Sequence, residues 1–191
     1  MRRRAGIALL LSLFLAHGCG DDSPSGPSTT FTGSVTDGTG DGSNGIADLV
    51  SATIQVSGGN LTATVSFAPG PSGGSVILRL DTDENPATGF AGVDGGHTDG
   101  ALIGFDYWLT ASAPGGATLV TINRASDFTQ IGTATATFPS STQVRLTVPL
   151  SLLGDDDGRM TFKAISTVGE PTTSIISDRM PDTGVAPGAV H

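Results

Sequence analysis

Apolar and polar residues alternate strictly along two neighbouring segments of the chain, residues 50–57 and 61–67. A period of two places all the apolar side chains of a strand on one face. Gly58 and Gly59 separate the two segments, and a Gly-Gly pair adopts the positive φ angles of a tight hairpin turn without steric cost. The pattern therefore predicts a β-hairpin in which each strand buries one face.

Seven further segments have a strand-like pattern and are separated by clusters of Gly, Pro, Asp and Asn. They are residues 75–81, 101–110, 117–123, 132–138, 143–148, 160–167 and 173–177, and residues 30–35 are a tenth candidate strand. The chain after residue 30 has no convincing helical period, and residues 149–153 can form at most one helical turn. Short strands with frequent turns predict an all-β, antiparallel sandwich of about nine strands.

The N-terminal residues have the layout of an export signal, because three arginines at residues 2–4 precede an apolar run at residues 5–16. This run is too short to cross a bilayer, which takes about 20 apolar residues. It is followed closely by Cys19, and the junction resembles the lipobox of bacterial lipoproteins, in which the cysteine is lipidated and becomes the N-terminus. Ala16 and His17 depart from the usual lipobox pattern. The alternative is an ordinary signal peptide with an incidental cysteine.

The chain divides into a lipoprotein signal peptide at residues 1–18, a lipidated Cys19 with a flexible tether at residues 19–30, and a single β-sandwich domain at residues 31–191. Cys19 is the only cysteine, so no intramolecular disulfide can form. The tether is rich in Ser, Pro, Gly and Asp and cannot pack a core. The core of the domain is expected within about residues 46–184. By the same resemblance, Gly20 after the cysteine favours an outer-membrane location, on either face.

Removal of the signal would take away three of the nine basic residues and none of the eighteen acidic ones, so the net charge would fall from −9 to −12. Such an acidic chain is not expected to bind nucleic acid. Glu84 and Glu170 are the only glutamates, against sixteen aspartates. Aspartate is typical of turns and of calcium loops, so the acidic residues are expected in the loops.

The most informative loop follows the predicted strand 75–81. Asp81, Asp83 and Asn85 stand at positions one, three and five of this loop, where oxygen-bearing side chains converge on a hard cation such as Ca²⁺. This is the logic of the EF-hand, although Pro86 replaces its glycine at position six and Gly92 replaces its bidentate glutamate. The pattern predicts a calcium site that other parts of the fold complete. The alternative is a polar turn rich in Asp and Asn that holds no metal.

Asp106 is the best candidate to complete this site. It shares strand parity with Leu102 and Trp108 and so interrupts an apolar face, where a carboxylate is costly unless it is paired or bound to a metal. Asp94 and Asp99 are weaker candidates from the same region of the chain.

Four short motifs occur in order along the domain: Asp-x-Asp-x-Asn-Pro-x-Thr-Gly at residues 81–89, Ile-Gly-x-Asp-Tyr at 103–107, Pro-Leu-Ser-Leu-Leu-Gly at 149–154, and Asp-x-x-Pro-Asp-x-Gly at 178–184. Together they resemble secreted bacterial β-sandwich domains related to the DOMON-like and family 9 carbohydrate-binding modules. The resemblance implies a jelly-roll-like sandwich, a structural calcium ion near the first motif and, in some relatives, a sugar or haem ligand.

The resemblance carries over only in part to ligand binding. Trp108 is the one weak candidate for a sugar contact, because the adjacent Tyr107 faces the other side of its strand and cannot form a clamp with it. Haem ligation would need a pair such as Met160 and His97, and nothing in the sequence brings these two together.

No catalytic signature is evident. Residues 40–45 match Gly-x-Gly-x-x-Gly, but a strand pattern and not a helix follows them, which argues against dinucleotide binding. The sequence favours a non-enzymatic module that is held at a membrane by its lipid and meets a glycan or an envelope protein. Two alternatives stay open: a glycan-active hydrolase with two aspartates about 5 to 10 Å apart, and a purely structural envelope protein.

Overall fold

The computed structural model describes residues 30–43, 47–69, 73–90, 104–154, 156–168, 175–182 and 186–190. The predicted signal peptide, Cys19 and most of the tether lie outside these residues. So do Asp94, Asp99 and His97. The described residues contain no helix with the length and apolar character needed to span a membrane.

Eleven β-strands and one short 3-10 turn make up the regular structure. The strands are β1 (Phe31–Thr36), β2 (Leu49–Ser57), β3 (Asn60–Phe67), β4 (Ser75–Asp81), β5 (Tyr107–Ser112), β6 (Leu119–Arg124), β7 (Thr129–Ser140), β8 (Gln143–Pro149), β9 (Thr161–Val168), β10 (Ile175–Met180) and β11 (Ala186–Val190), with the 3-10 turn at Leu150–Leu153. The predicted all-β class and the single helical turn are confirmed.

All eleven strands belong to one antiparallel sheet. Their order is β10-β9-β11-β1-β2-β3-β8-β7-β6-β5-β4, and an additional pairing between β4 and β9 joins the end of this series back to its beginning. The two halves of the sheet share one apolar core, as expected for strands that each bury one face. Buried side chains from β1, β2, β3 and β8 and from β4, β5, β6 and β9 form most of this core.

The predicted hairpin is confirmed as β2 and β3. Val56 pairs with Leu61 across the turn, and Gly58 and Gly59 have φ angles of 57° and 75°, the conformation that a two-residue hairpin turn requires. The alternating residues of both strands are buried, with Ile54 fully enclosed. Burial of one such side chain contributes about 1.5 to 3 kcal/mol to folding.

The largest differences from the sequence prediction concern β5 and β11. β5 begins at Tyr107, because Gly104 has a φ of 57° and Asp106 lies in a bend, so the backbone is not extended at these two residues. Residues 101–103 of the predicted strand lie outside the described residues. β11 was not predicted, since Pro187 and Gly188 in its middle are residues that strands disfavour. It lies between β1 and β9 in the sheet.

The candidate site lies at one end of the sheet, which we call the upper end. Phe31 at the start of β1 pairs with Val56 beside the hairpin turn, and strand pairing places the end of β4 next to the starts of β5 and β9. The upper end therefore comprises the start of β1, the turn Gly58–Gly59, the loop from Asp81 to Phe90, the bend at Asp106, the turn between Arg124 and Thr129, and residues 149–160.

Candidate functional site

Three carboxylates meet at the upper end of the sheet. Asp81, Asp83 and Asp106 each offer one oxygen atom, and these atoms lie within 4.8 Å of one another. Asp81 is the last residue of β4, Asp83 lies in the loop that follows, and Asp106 lies in the bend before β5. The structure thus brings together three of the residues that the sequence singled out, although Asp106 is more than 20 positions from the other two.

The buried member of the group is Asp81, which is only 2% exposed. Its Oδ1 accepts a hydrogen bond from the backbone N–H of Asn85 at 3.2 Å, and its Oδ2 accepts one from the hydroxyl of Thr161 at 3.4 Å. Both bonds are long, so neither compensates fully for the loss of water around a charged carboxylate.

Asp83 is exposed and organises the loop. Its Oδ1 accepts a hydrogen bond from the backbone N–H of Asn85 at 2.9 Å, and its Oδ2 accepts one from the hydroxyl of Thr88 at 2.6 Å. The side-chain Oδ1 of Asn85 accepts a hydrogen bond from the N–H of Ala87 at 3.2 Å. In this conformation Asn85 serves the loop through its backbone N–H, which is shared by Asp81 and Asp83.

Two glycines allow the loop to approach the bend at Asp106. Gly89 has a φ of 65°, and a Cβ there would overlap the carbonyl oxygen of Gly104. A Cβ at Gly104, whose φ is 57°, would lie 2.6 Å from the carbonyl oxygen of Thr88. The N–H of Phe90 then donates to the carbonyl of Phe105 at 2.9 Å. Only glycine permits both the backbone conformation and the close contact, so these two residues bring Asp106 up to the loop.

The electrostatics of the group are unfavourable without a cation. Burial raises the pKa of Asp81 to about 6, and the carboxylates of Asp83 and Asp106 act in the same direction, against the N–H of Asn85. The pKa of Asp83 is lowered, mainly because the Thr88 hydroxyl donates to it. Among the described residues, no Lys or Arg forms an ion pair with any of the three carboxylates. The group is therefore a concentration of negative charge with one poorly solvated member.

A fourth acidic residue near the group was not singled out from the sequence. Asp156 lines an open cavity of about 420 Å³ with Thr82, Asp83, Glu84, Asp157 and Arg159. Burial raises the pKa of Asp156 to about 6, with smaller contributions from the charges of Asp157, Asp106 and Glu84. Asp156 belongs to a run of three aspartates at residues 155–157, for which the sequence alone predicts no more than a loop.

Four aromatic rings pack together beside the carboxylates. Phe90 contacts Phe105 and Phe128, with ring centroids 5.4 and 5.0 Å apart, and Trp108 contacts the same two rings at 6.1 and 5.8 Å. The guanidinium of Arg79 lies 4.8 Å from the centroid of the Phe105 ring. This aromatic cluster is separate from the main core.

The prediction that Tyr107 and Trp108 face opposite sides of their strand is confirmed. Tyr107 packs against the main core, whereas Trp108 packs against the buried Phe105 in the aromatic cluster. Met160, the other half of the haem pair considered above, is fully buried in the main core.

A second group of four carboxylates lies elsewhere in the fold. Asp37, Asp41, Asp178 and Asp182 also offer oxygen atoms within 4.8 Å of one another. Asp178 is buried and accepts hydrogen bonds from the backbone N–H groups of Leu49 and Arg179, both at 2.6 Å. Asp178 and Asp182 belong to the fourth sequence motif, but nothing in the sequence connects them with Asp37 and Asp41, which lie about 140 positions earlier.

Neither a protein-family model nor a curated protein sequence matches this chain.

Proposed function

We propose that this chain is a non-enzymatic, lipid-anchored module of the outer membrane whose upper end is stabilised by a calcium ion. The observation that carries the calcium proposal is the convergence of Asp81, Asp83 and Asp106 within 4.8 Å, in a site where Asp81 is buried. A divalent cation would offset the like charges of these three carboxylates.

Calcium fits this donor set better than other common metals. The site offers carboxylate oxygens and has no described His or Cys among its members, and oxygen-only sites select hard cations such as Ca²⁺ and Mg²⁺. Ca²⁺ takes six to eight oxygen ligands in flexible geometry. Three carboxylates from two separate segments, with backbone carbonyls and water to complete the shell, suit that flexibility better than the strict octahedron of Mg²⁺.

The role of such an ion would be to hold the loop against the bend. Asp81 and Asp83 belong to the loop after β4, and Asp106 precedes β5. A cation bound to all three would cross-link two segments whose carboxylates otherwise repel each other. The proposal therefore concerns the rigidity of the upper end.

Thermal unfolding of the purified full chain, in calcium and in chelator, tests the metal proposal. A cation present at 100 to 1,000 times its Kd should raise the free energy of unfolding by about 2.7 to 4.1 kcal/mol. Asp83→Asn should remove most of this gain. Asp127→Asn is the matched control. Asp127 is an exposed aspartate that pairs with Arg124 and does not belong to the carboxylate group, so this variant should keep the stabilisation by calcium. Equal melting temperatures in calcium and chelator for the unmodified chain would refute the calcium proposal.

The anchor is tested independently of the metal. In a host that processes lipoproteins, the mature protein should begin at Cys19, carry the mass of a lipid modification and fractionate with the outer membrane. The Cys19→Ser chain should lack the modification. A mature N-terminus at any other residue would contradict the anchor and would leave the calcium proposal unaffected.

A further inference from the structure

Two large apolar side chains project from the upper end of the sheet. Phe128 is 61% exposed and Phe90 is 37% exposed, and their rings are in contact with each other. Behind them, Phe105 is buried and Trp108 is half-buried. The aromatic cluster thus has an inner pair that fixes it to the sheet and an outer pair that water contacts, and exposed apolar groups of this kind mark interaction surfaces.

The backbone of Phe128 is in an unfavourable conformation. Its φ is 56°, in the left-handed region, which a bulky side chain rarely adopts and which costs on the order of 1 kcal/mol or more. Phe128 lies in the turn between β6 and β7, a position that Gly or Asn would occupy more cheaply. An aromatic ring held outward at such a site is a feature that folding alone does not require.

The charges around Phe128 compensate each other. Arg124 and Asp127 form a bidentate ion pair with N–O distances of 3.2 and 2.6 Å. These are the only charged side chains in the turn from Arg124 to Thr129. The turn that carries Phe128 therefore has no net charge of its own, although the carboxylates of Asp83 and Asp106 line a cavity with Arg124 beside it.

The course of the chain directs this end of the sheet towards the proposed anchor. β1 begins at Phe31, at the upper end, only twelve positions after Cys19. Twelve residues span at most about 40 Å when fully extended. A lipid on Cys19 would therefore hold the upper end within about 40 Å of the bilayer.

From these observations we infer that the aromatic cluster is a membrane-contacting surface, in which Phe128 and Phe90 enter the interfacial region of the bilayer that holds the Cys19 lipid. This inference rests on the proposed anchor, which supplies proximity but only weak orientation. Aromatic and apolar side chains bury themselves a short distance into the boundary between headgroups and acyl chains. The contact adds a second membrane attachment and sets the orientation of the domain.

The single tryptophan makes the contact measurable. Trp108 is the only Trp of the chain and its ring lies 5.8 Å from that of Phe128. The full mature chain is reconstituted into phosphatidylethanolamine and phosphatidylglycerol vesicles whose acyl chains carry bromine, which quenches tryptophan emission at short range. We expect quenching of Trp108 that is absent with unbrominated lipid.

Phe128→Asn is the informative variant, because Asn tolerates a positive φ and leaves the turn intact while it removes the ring. Loss of the Phe128 ring should weaken the apolar association of the aromatic cluster with the vesicle by roughly tenfold or more. The quenching of Trp108 should fall accordingly. Leu119→Asn is the matched control. Leu119 is 55% exposed at the opposite end of β6, and its substitution should leave the quenching unchanged.

Mass spectrometry of the same sample separates the two proposals. Quenching that depends on Phe128 supports the membrane contact whether or not Cys19 is lipidated. A lipidated, vesicle-bound protein whose Trp108 is not quenched, or whose quenching survives Phe128→Asn, overturns the contact and leaves the anchor standing. A protein that is neither lipidated nor quenched overturns both. A Phe128-dependent emission change with soluble glycan fragments, and none with brominated lipid, assigns the surface to a glycan and also overturns the inference.

Discussion

The side chain of Asp106 accepts two hydrogen bonds from a single residue, Thr82. Its Oδ2 receives the backbone N–H and the hydroxyl of Thr82, both at 2.9 Å. In addition, the backbone N–H of Asp106 donates to the carbonyl of Leu80 at 2.8 Å. Asp106 therefore fixes the end of β4 to the start of β5 before any cation is considered, and its structural role has to be separated from its proposed role as a ligand.

Substitutions at Asp106 can make that separation. Asp106→Asn keeps an oxygen that accepts the Thr82 bonds but removes the charge, so it should change the stability in chelator by less than about 1 kcal/mol and abolish the calcium-dependent gain. Asp106→Ala removes the acceptor as well and should lower the free energy of unfolding by about 1 to 3 kcal/mol even in chelator. Denaturant unfolding of both variants, with and without calcium, gives the comparison. A full calcium gain in Asp106→Asn would exclude this carboxylate as a ligand.

The close approach of Gly89 and Gly104 leads to a second prediction. Gly89→Ala places a Cβ against the carbonyl oxygen of Gly104 and keeps the positive φ, so it should cost on the order of 3 kcal/mol and weaken calcium binding. Gly115→Ala is the control: its φ is 90° and a Cβ there meets nothing within 4 Å. Gly115→Ala should cost only the conformational part, about 1 to 2 kcal/mol, and leave calcium binding unchanged. Similar losses of stability in Gly89→Ala and Gly115→Ala would show that the close contact with the carbonyl oxygen of Gly104 has no effect on stability.

The buried carboxylate of Asp178 should make stability depend on pH. Burial raises its pKa to about 6, and the charges of Asp41 and Asp37 act in the same direction. At pH 7.5 the group is ionised in both the folded and the unfolded state. As the pH falls through about 6, the folded state binds a proton first, so this group stabilises the fold increasingly until the unfolded chain also protonates near its usual pKa of about 3.8. Since each pKa unit is worth about 1.4 kcal/mol, the gain is on the order of 3 kcal/mol.

Other carboxylates also titrate in this range, so the measurement is a difference. The free energy of unfolding is compared between the unmodified chain and Asp178→Asn, in chelator, from pH 7.5 to pH 4. As the pH falls, the free energy of unfolding of the unmodified chain should rise relative to that of Asp178→Asn. A difference that is constant across the range, or that changes in the opposite direction, would contradict the assignment.

Asp178→Ala should be the more damaging substitution at this position. The N–H of Leu49 donates to Asp178 Oδ2, and Leu49 is fully buried, so removal of the acceptor leaves this N–H without its partner. The expected loss is about 1 to 3 kcal/mol at pH 7.5. Hydrogen exchange at the Leu49 amide should accelerate in Asp178→Ala and much less in Asp178→Asn. Unchanged exchange at that amide would mean that the hydrogen bond does not protect it.

Sequence predicts best those features that depend only on residues close together along the chain. The hairpin of β2 and β3 follows from alternation and from the Gly58–Gly59 turn, since both act over a few residues. The grouping of Asp81 with Asp83 is local as well. Asp106 was reached by a different route, the cost of a single carboxylate on an apolar strand face. Asp106 does lie beside Asp81 and Asp83, but the premise was wrong, because the residue lies in a bend before β5 and not on a strand face.

The aromatic cluster could not be predicted from the sequence. Phe90, Phe105 and Phe128 come from three segments, and their contacts depend on how the loop, the bend and the turn fold together. One signal was present in the sequence: Phe128 follows Asp127 in the interval between two predicted strands, where turn residues and not aromatic ones are expected. The proximity of Asp37 to Asp178 had no such signal. Asp178 begins the fourth motif, but nothing in that motif points to residue 37.

The pairing of β4 with β9 has a consequence for the proposed anchoring at a membrane. A sheet that ended at β4 would present a row of unpaired N–H and C=O groups, which can recruit a strand from a neighbouring copy. Along β4 these groups instead face β9 from Ser75 to Asp81. Copies concentrated in two dimensions by the proposed anchor would thus meet no open strand along β4, and association there would be left to side chains and loops.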